Sequence, residues 1–279
     1  MTQALFIIGN KRSGTSLLVR LLNLHPQIFV SHESDIGWIL YQYHQGRPFA
    51  AHSWDSDRGM HTTLELAGEL LKSNAKPKDN FTAIQTRLME KGTPWLPAQQ
   101  KAELKWLGDK KPLQYTDPEL LAFLLKHFPD AHFLHIVRHP FDVVASSDRF
   151  NQTADGDFWL GLSPTQKVER WTFHEKQVIK LCEAIPDRVY TLRYEDLCQQ
   201  TEKELSGVFS FLKVEPNKEI LREADRQTIF TARPTAPIAC SEDAMQIATS
   251  YGYDLGHSRR FNSSLERWYW RLSKLFGAD

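Results

Sequence analysis

Two short stretches of the chain carry residue types suited to gripping a compact anion. The first is Gly9-Asn10-Lys11-Arg12-Ser13-Gly14-Thr15-Ser16, preceded by apolar Ala4 to Ile8 and followed by the leucines 17, 18, 21, 22 and 24. A glycine-bounded loop between a strand and a helix lets backbone N–H groups curl round a phosphate, and the helix N-terminus adds positive potential. Lys11 and Arg12 add charge, and Ser13, Thr15 and Ser16 add hydroxyls. The second stretch runs from Arg138 to Ser146, eight residues on. Phe133 to Val137 reads as a strand, so Arg138 stands at a strand's C-terminal end, where ligands collect in open parallel sheets. Its planar fork bonds two phosphate oxygens at once. Pro140 opens a helix that brings Ser146 back to the same side.

The first stretch matches the phosphate-loop pattern G-x-x-x-x-G-K-[ST] except that Thr15 stands where the lysine belongs. A kinase places that lysine on the terminal phosphates and a hydroxyl on magnesium. Here the cations come earlier, and no aspartate follows a strand in the place of a second magnesium ligand. A P-loop kinase, or another ATP-binding protein, is therefore the alternative reading, and no metal is expected.

These residues need a scaffold that brings strand ends together. Ala4–Ile8, Ile28–Val30, Phe133–Val137 and Arg188–Leu192 read as strands. The first helix should stop by His25, ahead of Pro26. Helical patterns cover about 62–74, 80–91, 117–127, 164–183, 201–212 and 262–276. Strands alternating with helices predict an α/β fold with a mainly parallel sheet. No linker interrupts the 279 residues, so a single domain is expected, with 45–104 and 213–260 as segments that shape the site.

Composition narrows the partners. Lys and Arg total 34, as do Asp and Glu, so the net charge is zero. A polyanion such as nucleic acid needs a basic surplus and is not expected. Cys182, Cys198 and Cys240 form neither a disulfide framework nor a zinc pattern. No apolar run is long enough for a membrane span and no leader is legible, so a cytoplasmic location is expected.

Taken together, the loop at 9–16 and the segment at 138–147 resemble those of the sulfotransferases that use 3′-phosphoadenosine 5′-phosphosulfate (PAPS). Arg12-Ser13-Gly14-Thr15-Ser16 looks like that family's [RK]-S-G-T-[TS] loop. Arg193-Tyr194-Glu195-Asp196-Leu197 is similar to its R-Y-E-D-L segment. Gly108-Asp109-Lys110-Lys111-Pro112 is similar to the G-[DE]-K-T-P segment of bacterial members. The likeness covers about residues 4–38 and 105–212.

The resemblance implies a three-layer fold of the P-loop type with helical insertions capping the active site. It implies that loop 9–16 binds the 5′-phosphosulfate and that Arg138 and Ser146 bind the 3′-phosphate, with Tyr194 in the same nucleotide site. Arg12 would act on the transferring sulfuryl group and Lys110 on the leaving oxygen, leaving open which of Lys110 and Lys111 points inward. The K-T-H histidine used as a base in one branch is absent. The succession of loop, helix, His25-Pro26, short strand and Glu33 resembles the tyrosylprotein branch, which implies Glu33 as the base. His32 is the reserve, and strand alternation would point it the other way. Cations would lower the pKa of Glu33 and burial would raise it, a balance open at this level. The resemblance implies transfer from PAPS to a hydroxyl or amine of a small molecule, carbohydrate or peptide.

Two features read as background. The scattered tryptophans, among them Trp38, Trp54, Trp95, Trp106, Trp159 and Trp171, suit core packing. Thr231 to Thr235 reads as a surface loop, and the stripe at Leu265, Trp268, Tyr269, Leu272, Leu275 and Phe276 as a docking face.

Overall fold

The computed structural model describes residues 2–49, 58–93, 95–153, 159–228 and 237–255. Trp54, Arg233 with its neighbours in 231–235, and the helix expected over 262–276 lie outside these residues. In chain order the elements are β1 (Gln3–Ile8), α1 (Thr15–Leu22), β2 (Ile28–His32), α2 (Ile36–His44), α3 (Arg58–Leu70), α4 (Pro77–Lys91), β3 (Trp106–Lys110), α5 (Pro118–His127), β4 (His132–Val137), α6 (Pro140–Phe150), α7 (Pro164–Ala184), β5 (Val189–Arg193), α8 (Tyr194–Gln199), α9 (Thr201–Phe211), α10 (Lys218–Gln227) and α11 (Glu242–Ser250).

The five strands form one sheet in the order β2-β3-β1-β4-β5, and every pairing is parallel. Alternation sorts β1 between the two faces. Ala4, Phe6 and Ile8 join a core with Phe29, Phe133 and residues of α2, α4, α5 and α7. Leu5 and Ile7 join a second core with α1, α8, α9 and α10. Helices thus cover both faces, as an all-parallel sheet requires, and the result is the expected three-layer α/β architecture. A third cluster joins α6, α7 and α11 through Phe141, Val144, Trp171, Ala248 and Tyr253.

Helix ends follow local chemistry. Asp117 caps α5 by accepting from the N–H groups of Glu119 and Leu120, and Pro118 takes the first position. Ser163 and Gln166 form a reciprocal capping box at the start of α7. Among the described residues no helix is long and apolar enough to cross a membrane.

The strand that sequence reading missed is β3, Trp106-Leu107-Gly108-Asp109-Lys110. All five residues are buried although three of them are not strand formers. Gly108 is there because a Cβ would meet the Leu5 carbonyl oxygen at 2.6 Å. Asp109 and Lys110 are there because each meets partners at the sheet's edge.

Candidate active site

Because all five strands run the same way, their C-terminal ends share one edge, and each end delivers a candidate residue. β1 leads into the loop 9–16. β2 leads into Glu33, and β3 ends on Lys110. β4 leads into Arg138, with Ser146 on the helix that follows, and β5 leads into Tyr194. The strand order sets their arrangement: Glu33 and Lys110 fall on one flank of the loop, Arg138 and Tyr194 on the other.

The loop is built to stay open. Ser13 N–H donates to the Asn10 carbonyl (3.2 Å), which curls the chain. Asn10 is itself tied down, its Nδ2 donating to Glu175 Oε1 at 2.7 Å. Arg12 takes φ 68° and Gly14 φ 93°. At Gly14 any larger residue fails, since its Cβ would lie 2.3 Å from the Tyr194 ring. Gly14 caps α1 without a side-chain bond, and the first turn holds no acidic residue. The N–H groups of that turn and the buried Ser13 hydroxyl, which has no hydrogen-bond partner among the described residues, are therefore suited to an anion.

On one flank, Lys110 is fully buried and donates to Glu33 Oε1 at 2.5 Å. It also lies 3.1 Å from His32 Nε2 and 3.3 Å from Ser16 Oγ. His32 Nε2 is in turn 2.9 Å from Ser16 Oγ. Lysine 110, not 111, thus faces the loop. Burial alone would raise the Glu33 pKa, but Lys110, aided by His32 and Lys111, holds the carboxyl well below the usual range. Burial and the Lys110 charge push His32 down to about 4, so it is neutral at pH 7.

His32 also corrects the expectation from alternation. Glu33 lies just past the end of β2 with φ 52°, which turns the chain out of strand geometry. Consecutive residues 32 and 33 therefore both reach Lys110. The helix α2 begins only at Ile36, so Glu33 stands in the turn that precedes it, and Ser31 donates to Asp109.

The turn that carries Glu33 is held from beneath. Asp109, fully buried, accepts from Ser31 Oγ (2.5 Å), Ser34 Oγ (2.7 Å) and the Tyr115 hydroxyl. Gln85 on α4 donates to Ser31 Oγ at 2.8 Å. Two residues further on, Asp35 at φ 56° pairs with Lys111 at 3.2 Å and accepts from Gln114 at 2.8 Å. Alternation along the chain therefore sends Asp109 and Lys111 below to brace the turn and Lys110 above to the site.

Burial outweighs Lys111 and pushes the Asp35 carboxyl from 3.8 up to about 6. The folded protein then binds a proton that the unfolded chain has already released, so stability falls as pH rises from about 4 to 6. Asp35→Asn is expected to remove that decline, measured as a smaller loss of unfolding free energy over this interval in urea titrations.

On the other flank, Arg138 Nη1 donates to the Arg12 carbonyl at 3.0 Å, and its guanidinium stacks on the Tyr194 ring at 4.4 Å. Arg138 Nε is buried and has no hydrogen-bond partner among the described residues. Arg12 reaches away from Lys110: its Nε donates to Ser146 Oγ at 3.2 Å, and its guanidinium lies 4.8 Å from the centre of the Phe150 ring. Burial first, then repulsion from Arg138 and Arg149, lowers the Arg12 pKa. Cations gathered this closely favour a bound anion. Lys11 sits at the loop's rim, half-buried.

Sequence reading did not single out Asn10 with Glu175, Asp109 with its two serines, or Asp35. Asp109 and Lys110 carried a usable signal, opposite charges adjacent in a buried segment. Glu175 carried none, since it lies inside a long helix and the loop residue it holds, Asn10, is 165 positions away. Trp95 departs from the core packing expected of it. It is 56% exposed, its ring 6.1 Å from that of His32, in a turn closed by Thr93 N–H to the Leu96 carbonyl at 2.7 Å.

No curated protein matches the chain. The fold is shared with the sulfotransferase domain of the olefin synthase of Synechococcus PCC 7002, at TM-score 0.59 and 20% identity over 91% of this chain and 96% of that one. It is shared equally with the sulfotransferase domain from the curacin biosynthetic pathway, at TM-score 0.59 and 19% identity over 91% and 99%. A sulfotransferase from Alicyclobacillus acidocaldarius superposes at TM-score 0.51, with 17% identity over 100% and 97%. Residues 4–218, which include every residue of both flanks, match the sequence profile of the Sulfotransferase family, and the chain belongs to that family.

Proposed function

We propose that the protein transfers a sulfuryl group from PAPS to an acceptor hydroxyl, or an amine, by direct in-line displacement. The observation that carries this reading is the division of the strand ends: a base and a cation in contact on one flank of an anion loop, a second anion grip on the other. A nucleotide phosphorylated at both 5′ and 3′ positions suits two such grips.

In this reading the loop N–H groups with Ser13, Thr15 and Ser16 hold the 5′-phosphosulfate. Arg138, stacked on Tyr194, holds the 3′-phosphate with Ser146. Lys11 and Arg12 add charge beside the loop. The acceptor oxygen attacks sulfur, the bond from sulfur to the bridging phosphate oxygen breaks, and the acceptor proton passes to Glu33. Lys110 stabilises the negative charge that develops on the leaving oxygen. The same lysine explains why Glu33 is weakly basic at rest: when Lys110 turns toward the leaving phosphate, the buried carboxylate loses its counter-ion and its proton affinity rises. The chemistry asks no metal of these residues, since cationic side chains carry the charge.

Trp95, exposed beside His32, supports an acceptor site on the Glu33 flank formed in part by segment 45–104. An indole face suits a flat apolar surface on the acceptor, whether a small molecule, a sugar or a peptide side chain. The test of the reading is nucleotide choice. The product nucleotide, 3′-phosphoadenosine 5′-phosphate (PAP), is expected to raise the melting temperature by mass action, and ATP with magnesium to do little.

A further inference from the structure

Apart from Tyr194, the R-Y-E-D-L segment and the described residues beyond position 218 have no part in the reaction as described, yet they meet directly behind the two anion grips. Glu195 is buried, and its Oε1 accepts the His139 N–H at 3.0 Å. Its Oε2 accepts from the Tyr253 hydroxyl at 2.7 Å. That hydroxyl also lies 3.3 Å from the Val137 carbonyl oxygen. The backbone is therefore held immediately before and immediately after Arg138. The Arg193 guanidinium covers the Tyr253 ring at 4.5 Å, and His139 packs edge-on against it.

Two residues earlier, Tyr251 makes a second connection. It connects by way of His135 to Glu175, the carboxylate whose Oε1 holds Asn10 at the start of the phosphate loop. Its ring packs beside His135, whose Nε2 lies 3.1 Å from Glu175 Oε2. Gly252 between them has φ 76°, the left-handed turn that sends both rings inward. The rest of the segment is anchored by α11, capped by Ser241, whose N–H and hydroxyl both donate to Glu169 on α7 at 3.0 Å.

We infer that Tyr251-Gly252-Tyr253 is a latch that positions both phosphate grips from behind, the Tyr251 ring setting the 5′ loop through His135, Glu175 and Asn10, and the Tyr253 hydroxyl setting Arg138 through Glu195. The inference rests on the proposed nucleotide reading, in which the loop takes the 5′ group and Arg138 the 3′ group. It makes the C-terminal segment, outside the part of the chain that matches the family, a component of the nucleotide site. Both tyrosines are positioning residues: neither needs to touch the ligand.

The test is calorimetric titration of the full chain and its variants with PAP, adenosine 5′-phosphate and adenosine 3′-phosphate. Tyr253→Phe keeps the ring and removes one buried hydrogen bond to a charged group. It is expected to weaken PAP and adenosine 3′-phosphate about tenfold and leave adenosine 5′-phosphate unchanged. Tyr251→Leu, which removes the ring packed beside His135, is expected to weaken PAP and adenosine 5′-phosphate by a similar factor and leave adenosine 3′-phosphate unchanged. Glu195→Gln, made in case Tyr253→Phe folds poorly, should reproduce the Tyr253→Phe pattern. A role confined to stability would lower the melting temperature without this split. Equal losses for the two monophosphates in each variant, or none, would overturn the latch while leaving PAP binding by the wild type intact. Absence of PAP binding by the wild type would overturn the nucleotide reading, and the latch with it.

Discussion

Glu33→Gln is expected to bind PAP as the wild type does and to lose sulfuryl transfer by about two to four orders of magnitude in kcat, the range of a lost general base. The reasoning is geometric. Glu33 is the carboxylate that touches Lys110 at the loop's edge, and glutamine keeps its length and one acceptor oxygen for the lysine. Removing the carboxylate outright would leave a fully buried ammonium unpaired, at a cost of about 3–5 kcal/mol, so Glu33→Ala would confuse folding with chemistry. Glutamine cannot take up the acceptor's proton, and the loss should fall on kcat with little change in the KM for PAPS. His32 is the competing base: it is neutral at pH 7 and lies 3.1 Å from Lys110, against 2.5 Å for Glu33. If Glu33→Gln retains full activity and His32→Gln loses it, the proton goes to the histidine. The measurement is steady-state transfer of radiolabelled sulfate from PAPS, paired with PAP titration of each variant.

The second large effect is expected at Arg138. Its guanidinium is oriented by stacking on Tyr194 and by donation to the Arg12 carbonyl, with a buried Nε left over. A bidentate grip on a phosphate replaces two charge-assisted hydrogen bonds, each worth about 1.5–3 kcal/mol. Arg138→Ala should therefore weaken PAP by about a hundredfold or more. It should leave adenosine 5′-phosphate nearly untouched, because the loop on the other side of β1 is intact. Arg138→Lys should recover only part of the loss, since an ammonium cannot form the planar fork. Equal weakening of both nucleotides would mean that Arg138 supports the loop through Arg12 and does not grip the 3′ group.

The parts of this molecule legible in its sequence are those where neighbours along the chain are also neighbours in space. The passage from Ala4 through the loop to Leu22 is one such part: strand, glycine turn and helix lie in order, and each carries its own signal. Pro140 marked the start of α6, and with it the place of Ser146. The parallel α/β architecture followed from alternation of short strands and longer helices. Strand β3 escaped because its Gly108, Asp109 and Lys110 are explained only by β1, β2 and the Glu33 turn, which are remote in sequence. Alternation failed at His32 because the rule holds inside a strand and Glu33, at φ 52°, has already left it. Arg12 was assigned by motif to the transferring group, yet its side chain runs to Ser146, a contact across 134 positions that no local pattern encodes. Tyr251 and Tyr253 are likewise remote in sequence from the loop and corner they brace, Tyr253 by 116 positions from Val137. The zero net charge likewise concealed a local excess, in which Arg138 and Arg149 both repel Arg12 beside the loop.

In the proposed function this anion site takes a nucleotide phosphorylated at both the 5′ and 3′ positions of its ribose and not a nucleoside triphosphate with magnesium. Side-by-side calorimetric titration of the wild-type protein tests it most directly. Saturable binding of PAP is expected, with affinity well above that for either adenosine monophosphate, and no comparable binding of ATP with magnesium. Tight magnesium-dependent binding of ATP, with PAP bound no better than adenosine 5′-phosphate, would contradict it.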